Sequence, residues 1–201
     1  MFRTAFTRLS PTMDRRGGAH HRQQLLAQVT GTVVEIGAGT GATFSHYGPK
    51  VKVVRAIEPD LFLRTQAQAA AREAAADITV IDGTADSLPF GSATADWVVC
   101  SLVLCSVPDQ VAALSEIRRV LKPNGQLAFY EHVRSSHAVL AVLEDLLTVP
   151  WATVAGGCHP NRDTLQAIVD AGFEMSSVYR FGFSPHPGVP RVAHLMGVAR
   201  R

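Results

Sequence analysis

The residues best placed to do chemistry follow a run of β-branched side chains. TVVEIG, residues 32–37, empties into GAGTG, where glycines leave backbone N–H groups open to a ligand because no side chain holds it away. A turn of this kind leading into a helix N-terminus is expected to receive an anionic group. A second apolar run, VKVVRAIE, ends at Glu58, about 20 residues beyond Gly39, where a carboxylate accepts hydrogen bonds from ribose hydroxyls. Further on, His132 sits at the end of QLAFYEHV, a candidate general base. Adjacent strand residues point to opposite faces, so only one of Glu131 and His132 can face an acceptor, and His132 is the choice. Cys105 follows another apolar run and reads either as a catalytic thiol or as a small apolar filler. Cys158 with His159 resembles half a metal site, but no second pair at useful spacing accompanies it, so no metal is expected.

These residues must be positioned by alternating strands and helices. After VKVVRAIE, the alanine-rich DLFLRTQAQAAAREAAA predicts a helix; ITVID is a short strand; GTADSLPFGSATA is a loop; DWVVCSLVLCSV is apolar enough to run centrally in a sheet. DQVAALSEIRRVL reads as a helix ended by KPNG, and QLAFYEHV as a fifth parallel strand. SHAVLAVLEDLLTVPWATVA is an unusually apolar helix, NRDTLQAIVDAGF another helix, and SSVYRFGF and RVAHLMGVARR two antiparallel closing strands joined by SPHPGVP. The alternation predicts an α/β fold on a mostly parallel sheet with an antiparallel last strand pair.

Composition narrows the partners. The 201 residues are 47% hydrophobic and 18% charged, which suits one domain with a substantial core. A net charge of +2 is too slight to favour nucleic acid. The surplus lies at the front, where Arg3, Arg8, Arg15, Arg16 and Arg22 face only Asp14, allowing weak contact with an anionic surface, although Gly17 and Gly18 interrupt any continuous helix there. No stretch reaches the roughly 18 uncharged apolar residues of a membrane span, so no integral membrane segment is expected. Three cysteines without a CxxC pair fit a reducing, cytoplasmic interior.

Gly37, Gly39 and Ala42 also satisfy the GxGxxG/A dinucleotide fingerprint, which leaves two nucleotide-type ligands open. A short-chain dehydrogenase needs a tyrosine followed four residues on by lysine. Tyr47, Tyr130 and Tyr179 are followed there by Val51, Arg134 and Phe183.

EIGAGTG, AIEPD, GTADSLPF, DWVVCSLVLCSV and RRVLKPNGQLAFYEH together resemble the ordered motifs of class I S-adenosylmethionine-dependent methyltransferases. The resemblance implies a Rossmann-like fold with a seven-stranded sheet and S-adenosyl-L-methionine as cofactor. It implies that Glu35, Gly37, Ala38, Gly39 and Gly41 line the methionine end, that Glu58 and Pro59 meet the ribose, and that Thr84 and Ala85 meet the adenine. Many relatives carry an aspartate where Thr84 stands, a role open to Asp82 or Asp86. Ser101 and Leu102 would meet the cofactor's amino group through their backbone.

LVLCSV, EHV and GGC are similar to strings of a narrower group, the methyltransferase-like thiol S-methyltransferases acting on alkyl thiols. That implies a small apolar thiol acceptor with His132 as the base; N-, O- or C-methylation of a lipid or quinone, and non-catalytic cofactor binding, are the alternatives. Within a single domain spanning 1–201, residues 1–30 are expected to form a basic helical lid, 31–133 the cofactor-binding core, 134–160 an apolar cover over the acceptor, and 161–201 the closing helix and strands.

Overall fold

The computed structural model describes residues 2–201 and joins seven strands into one sheet. In chain order the strands are β1 (Gly31–Ile36), β2 (Val51–Ile57), β3 (Ile78–Ile81), β4 (Ala95–Ser101), β5 (Leu121–His132), β6 (Glu174–Phe183) and β7 (Val192–Arg200). The helices are α1 (Phe2–Met13), α2 (Ala19–Leu26), α3 (Leu61–Glu73), α4 (Gln110–Val120), α5 (Ala138–Val154) and α6 (Thr164–Asp170). The sheet order is β3-β2-β1-β4-β5-β7-β6; β1 to β5 pair in parallel, and β7 runs antiparallel to both β5 and β6. The expected antiparallel pair is present, with β7 inside the sheet and β6 at its edge.

Alternate residues of the central strands feed two cores, as a sheet covered on both faces requires. Val34, Ile36, Val98, Cys100, Leu127 and Phe129 pack with Leu114 and Ile117 of α4 and Ile168 of α6. Val33, Val54, Val99, Ala128 and Tyr130 pack on the other face with Leu25 and Leu26 of α2 and Ala67 of α3. Three helix starts are capped by aspartates, whose carboxylates accept the free first-turn amides: Asp60 for α3, Asp109 for α4 and Asp163 for α6.

Three expectations are corrected. No α-helix follows GAGTG: the chain makes successive turns and a single 3-10 turn at Phe44–His46, because Gly39 and Gly41 adopt positive φ (57° and 79°) and Thr43 is drawn by its hydroxyl to Glu35. The apolar run ending in CSV is not one long strand; β4 stops at Ser101, where Leu102 enters the left-handed region at φ 62° and the chain folds back through residues 102–107. The apolar face of α5 lies open to solvent, with Leu146 71% and Val149 75% exposed and only Ala141 and Thr148 buried, so its large side chains do not form the expected cover.

Residues 14–18 make a π-helical turn between α1 and α2, broken at Gly17 (φ 128°), the interruption anticipated for the paired glycines. No helix among the described residues is long and apolar enough to cross a membrane.

Candidate functional site

The strand order reverses direction between β1 and β4, and in open α/β sheets ligands occupy the crevice beyond the carboxyl ends of the strands at that point. Gly37 leaves β1 at φ 64°, and a Cβ there would lie 2.7 Å from Val103 Cγ2 in the chain after β4. Only glycine lets the two loops approach this closely.

Glu58, at the end of β2, is 5% exposed. Its Oε2 accepts the Gly39 N–H at 2.8 Å and its Oε1 accepts the Asp60 N–H at 2.9 Å. Burial raises its pKa, against the lowering effect of those two bonds. The Gly39 amide is therefore engaged by Glu58 rather than bare, and the Gly41 N–H is engaged by the Ala38 carbonyl at 2.8 Å.

Glu35 lies inward of the same turn. Thr43 Oγ1 and Tyr47 Oη each donate to one of its oxygens at 2.5 Å, and burial pushes its pKa to about 7. Both oxygens are thus occupied by the chain's own hydroxyls, which places Glu35 behind the turn as its anchor. Pro59 is exposed, and its carbonyl accepts from Arg64. Thr84 is exposed and Ala85 buried in a turn closed by the Ser87 N–H on the Thr84 carbonyl; Asp82 pairs with Arg64 at 2.9 Å, and Asp86 is exposed.

Ser101 pairs with Tyr130 in the β4–β5 ladder, and the Leu102 N–H donates to the Tyr130 carbonyl at 2.6 Å. A leucine at φ 62° carries strain of about 1–3 kcal/mol, of the kind found at ligand clamps.

Glu131 and His132 do separate to opposite sides. Glu131 is fully buried and accepts the amides of Val103 (3.0 Å) and Cys105 (3.1 Å), pinning the loop after β4. Burial holds its pKa well above the usual carboxylate range. His132 is half-buried; its Nδ1 lies 3.6 Å from Cys105 Sγ and 3.3 Å from Cys158 Sγ, and its ring meets that of His194 with centroids 4.5 Å apart. Burial opposes the charged imidazole of His132, yet the Cys105 sulfur, Glu131 and Glu144 outweigh it and raise its pKa; burial and His132 itself lower that of His194 to about 3.

The pairing of Cys158 differs from the sequence expectation. His159 Nδ1 faces the Gly157 carbonyl at 2.6 Å, and the partners of Cys158 are Cys105, at 3.7 Å between sulfurs, and His132. LVLCSV, EHV and GGC each contribute one member of this cluster. Linear spacing concealed it, because one residue ends β5 and the other two come from separate loops.

The N-terminal segment reaches both halves of the site. Arg3 pairs with Asp60 at 2.6 Å, Arg16 donates to the Ser184 carbonyl, buried Arg22 pairs with Asp14, and His21 packs on Phe181, Phe183 and Tyr130. Asp14 and Ala19 also line a cavity of about 480 Å³ behind the glycine turn, with Gly41, Phe44 and Ala70.

Comparison with known proteins agrees with this arrangement. The family described as methyltransferase domain matches residues 34–129. Thiol S-methyltransferase TMT1B of Rattus norvegicus is 35% identical over 175 residues, covering 84% of this chain and 70% of that protein. The ubiquinone/menaquinone biosynthesis C-methyltransferase UbiE of Shewanella oneidensis is 32% identical over 165 residues, covering 71% and 66%. The solved structure of an S-adenosylmethionine-dependent methyltransferase from Mesorhizobium loti superposes with a TM-score of 0.68 at 18% identity, covering 94% of this chain and all of that one. The chain belongs to the class I S-adenosylmethionine-dependent methyltransferases. It is an enzyme of that class, and its cofactor is S-adenosylmethionine.

The residues present fit that cofactor. Each Glu58 oxygen has one lone pair engaged by a backbone amide and one left for a ribose hydroxyl. Glycines at positive φ follow β1 and the strained Leu102 follows β4, the two strands at the sheet's reversal, where a nucleoside enters folds of this kind.

Proposed function

We propose that the chain methylates the thiol of a small apolar acceptor, with His132 facing that acceptor. The observation that carries this reading is the placement of His132, half-buried at the C-terminal end of β5 and two residues beyond the Tyr130 that pairs with Ser101. In this reading Glu58 and Pro59 hold the ribose, Thr84 and Ala85 the adenine, and Gly37, Ala38, Gly39 and Gly41 the methionine end. Glu35 anchors that turn, and the backbone of Ser101 and Leu102 meets the amino group.

The bound cofactor supplies an electrophilic methyl group on a sulfonium. The protein's part is to bring an acceptor into line in a water-poor pocket, which requires little acid or base machinery. Cys105 and Cys158, both buried beside His132, line the acceptor side, and α1 and α2 close the N-terminal side as a lid. The name of the rat relative supports a thiol acceptor. Three free cysteines support a reducing, cytoplasmic setting.

Labelled cofactor offered with an alkanethiol, a phenol and an amine tests the proposal: methylated thiol is expected, and transfer to the phenol or amine alone overturns it. The Shewanella relative favours a second reading, C-methylation of a quinone-type ring, which a hydroquinone arm of the same assay reads directly.

A further inference from the structure

Cys105, His132 and Cys158 form a closed triangle of donor atoms. Its edges are 3.7 Å between the sulfurs, 3.6 Å from Cys105 Sγ to His132 Nδ1, and 3.3 Å from Cys158 Sγ to His132 Nδ1. Hydrogen bonds do not account for all three edges. With Nδ1 unprotonated, two thiol hydrogens serve two edges. With Nδ1 protonated, the imidazole no longer accepts from a thiol, and again two edges are served.

A single cation accounts for all three. Tetrahedral zinc stands about 2.3 Å from sulfur and about 2.0–2.1 Å from imidazole nitrogen, which sets sulfur–sulfur edges at about 3.8 Å and sulfur–nitrogen edges at about 3.5 Å. The observed triangle has these dimensions without rearrangement.

We infer that Cys105, His132 and Cys158 are a Cys2His site for zinc(II) or a similar soft divalent cation, with the fourth tetrahedral position open. Binding displaces the two thiol protons to solvent, and two thiolates then balance the charge of the ion, the condition under which a buried cation is tolerated. The frame is already fixed. The His159 N–H donates to the Cys105 carbonyl at 2.8 Å, locking the segment after α5 to the loop after β4, and Glu131 holds that loop from below. The Ser106 hydroxyl, 3.5 Å from Cys105 Sγ, is placed to donate to the ligand sulfur, the kind of outer contact that fixes metal ligands. Cys105 is fully buried and Cys158 5% exposed, so both ligand sulfurs are shielded from bulk water. Three protein ligands and one open position are the pattern of a reactive rather than a structural zinc centre. An acceptor sulfur occupying that position would be held as thiolate; this use rests on the thiol-acceptor reading above, whereas the site itself does not.

Elemental mass spectrometry of the full chain, purified without chelator from zinc-supplemented cells, tests the site. About one zinc per chain is expected, falling roughly tenfold or more in Cys158→Ser and in His132→Ala and unchanged in Cys100→Ala, whose sulfur lies in β4. A second measurement needs no variant: cobalt(II) added to the metal-free wild-type chain is expected to give sulfur-to-cobalt charge-transfer absorption and the intense visible bands of a tetrahedral site. A wild-type chain that retains no zinc and gives no such bands overturns the proposal, as does zinc that survives both ligand substitutions. Thiol methylation measured on the same sample separates the two readings, since a zinc-loaded chain inert on every thiol keeps the site and refutes only the acceptor.

Discussion

Glu58 and Gly39 are bonded directly, carboxylate to amide, at 2.8 Å. The acid at the end of β2 therefore shapes the glycine turn, in addition to the ribose-holding role proposed for it. Glu58→Ala is expected to remove both the charged acceptor and the brace on the turn. A hydrogen bond to a charged group contributes about 1.5–3 kcal/mol, so affinity for the demethylated cofactor should fall by about one to two orders of magnitude. Calorimetry reads this directly, and unchanged affinity refutes the ribose role.

Gly37→Ala forces a Cβ to within 2.7 Å of Val103 Cγ2 at a residue with φ 64°. Left-handed backbone costs a non-glycine residue about 1–2 kcal/mol and overpacking about 1–3 kcal/mol. Urea unfolding should show a loss of about 2–5 kcal/mol.

Glu35 makes folding depend on pH. Its folded pKa of about 7 stands above the ordinary 4.5, so between those values the folded chain keeps a proton that the unfolded chain releases. Stability attributable to Glu35 is fully present below about pH 4.5, declines as pH rises, and levels off above about pH 7, a change of about 3 kcal/mol. Burial raises Glu58 and Glu131 in the same direction, so the measurement is the difference between wild type and Glu35→Gln. Denaturation at about pH 5 and about pH 7.5 should show a steeper decline in the wild type; parallel declines refute the assignment.

His132→Ala lies outside the β1/β4 crevice and removes the group proposed to face the acceptor. Transfer to a thiol should fall about 100-fold, the scale of effect expected when an acceptor is misplaced by about an ångström, while affinity for the cofactor stays within about twofold. Equal losses in both would assign His132 to the cofactor half.

The strands and the turn around the β1/β4 reversal were legible because their signals are local. Glycines mark the turn, β-branched runs mark the strands, and a single acid ends β2. The missing helix after GAGTG was not legible, since a tertiary contact, the Thr43 hydroxyl on buried Glu35, competes with helix formation there. The exposed apolar face of α5 escaped for a related reason: hydropathy marks a face as apolar without saying whether anything covers it. The cysteine–histidine cluster was hidden by topology. Cys105, His132 and Cys158 meet only after β4 and β5 are laid side by side and the segment beyond α5 folds back onto them.

The insertion of β7 between β5 and β6 also bears on how the chain is made. As it leaves the ribosome, β1 to β5 can assemble in order, but β5 has one bare edge and β6 has two until residues 192–200 emerge. Bare edges invite pairing with other chains. Nascent chains stalled before that stretch should therefore be the form that chaperones hold and that aggregates when they are scarce.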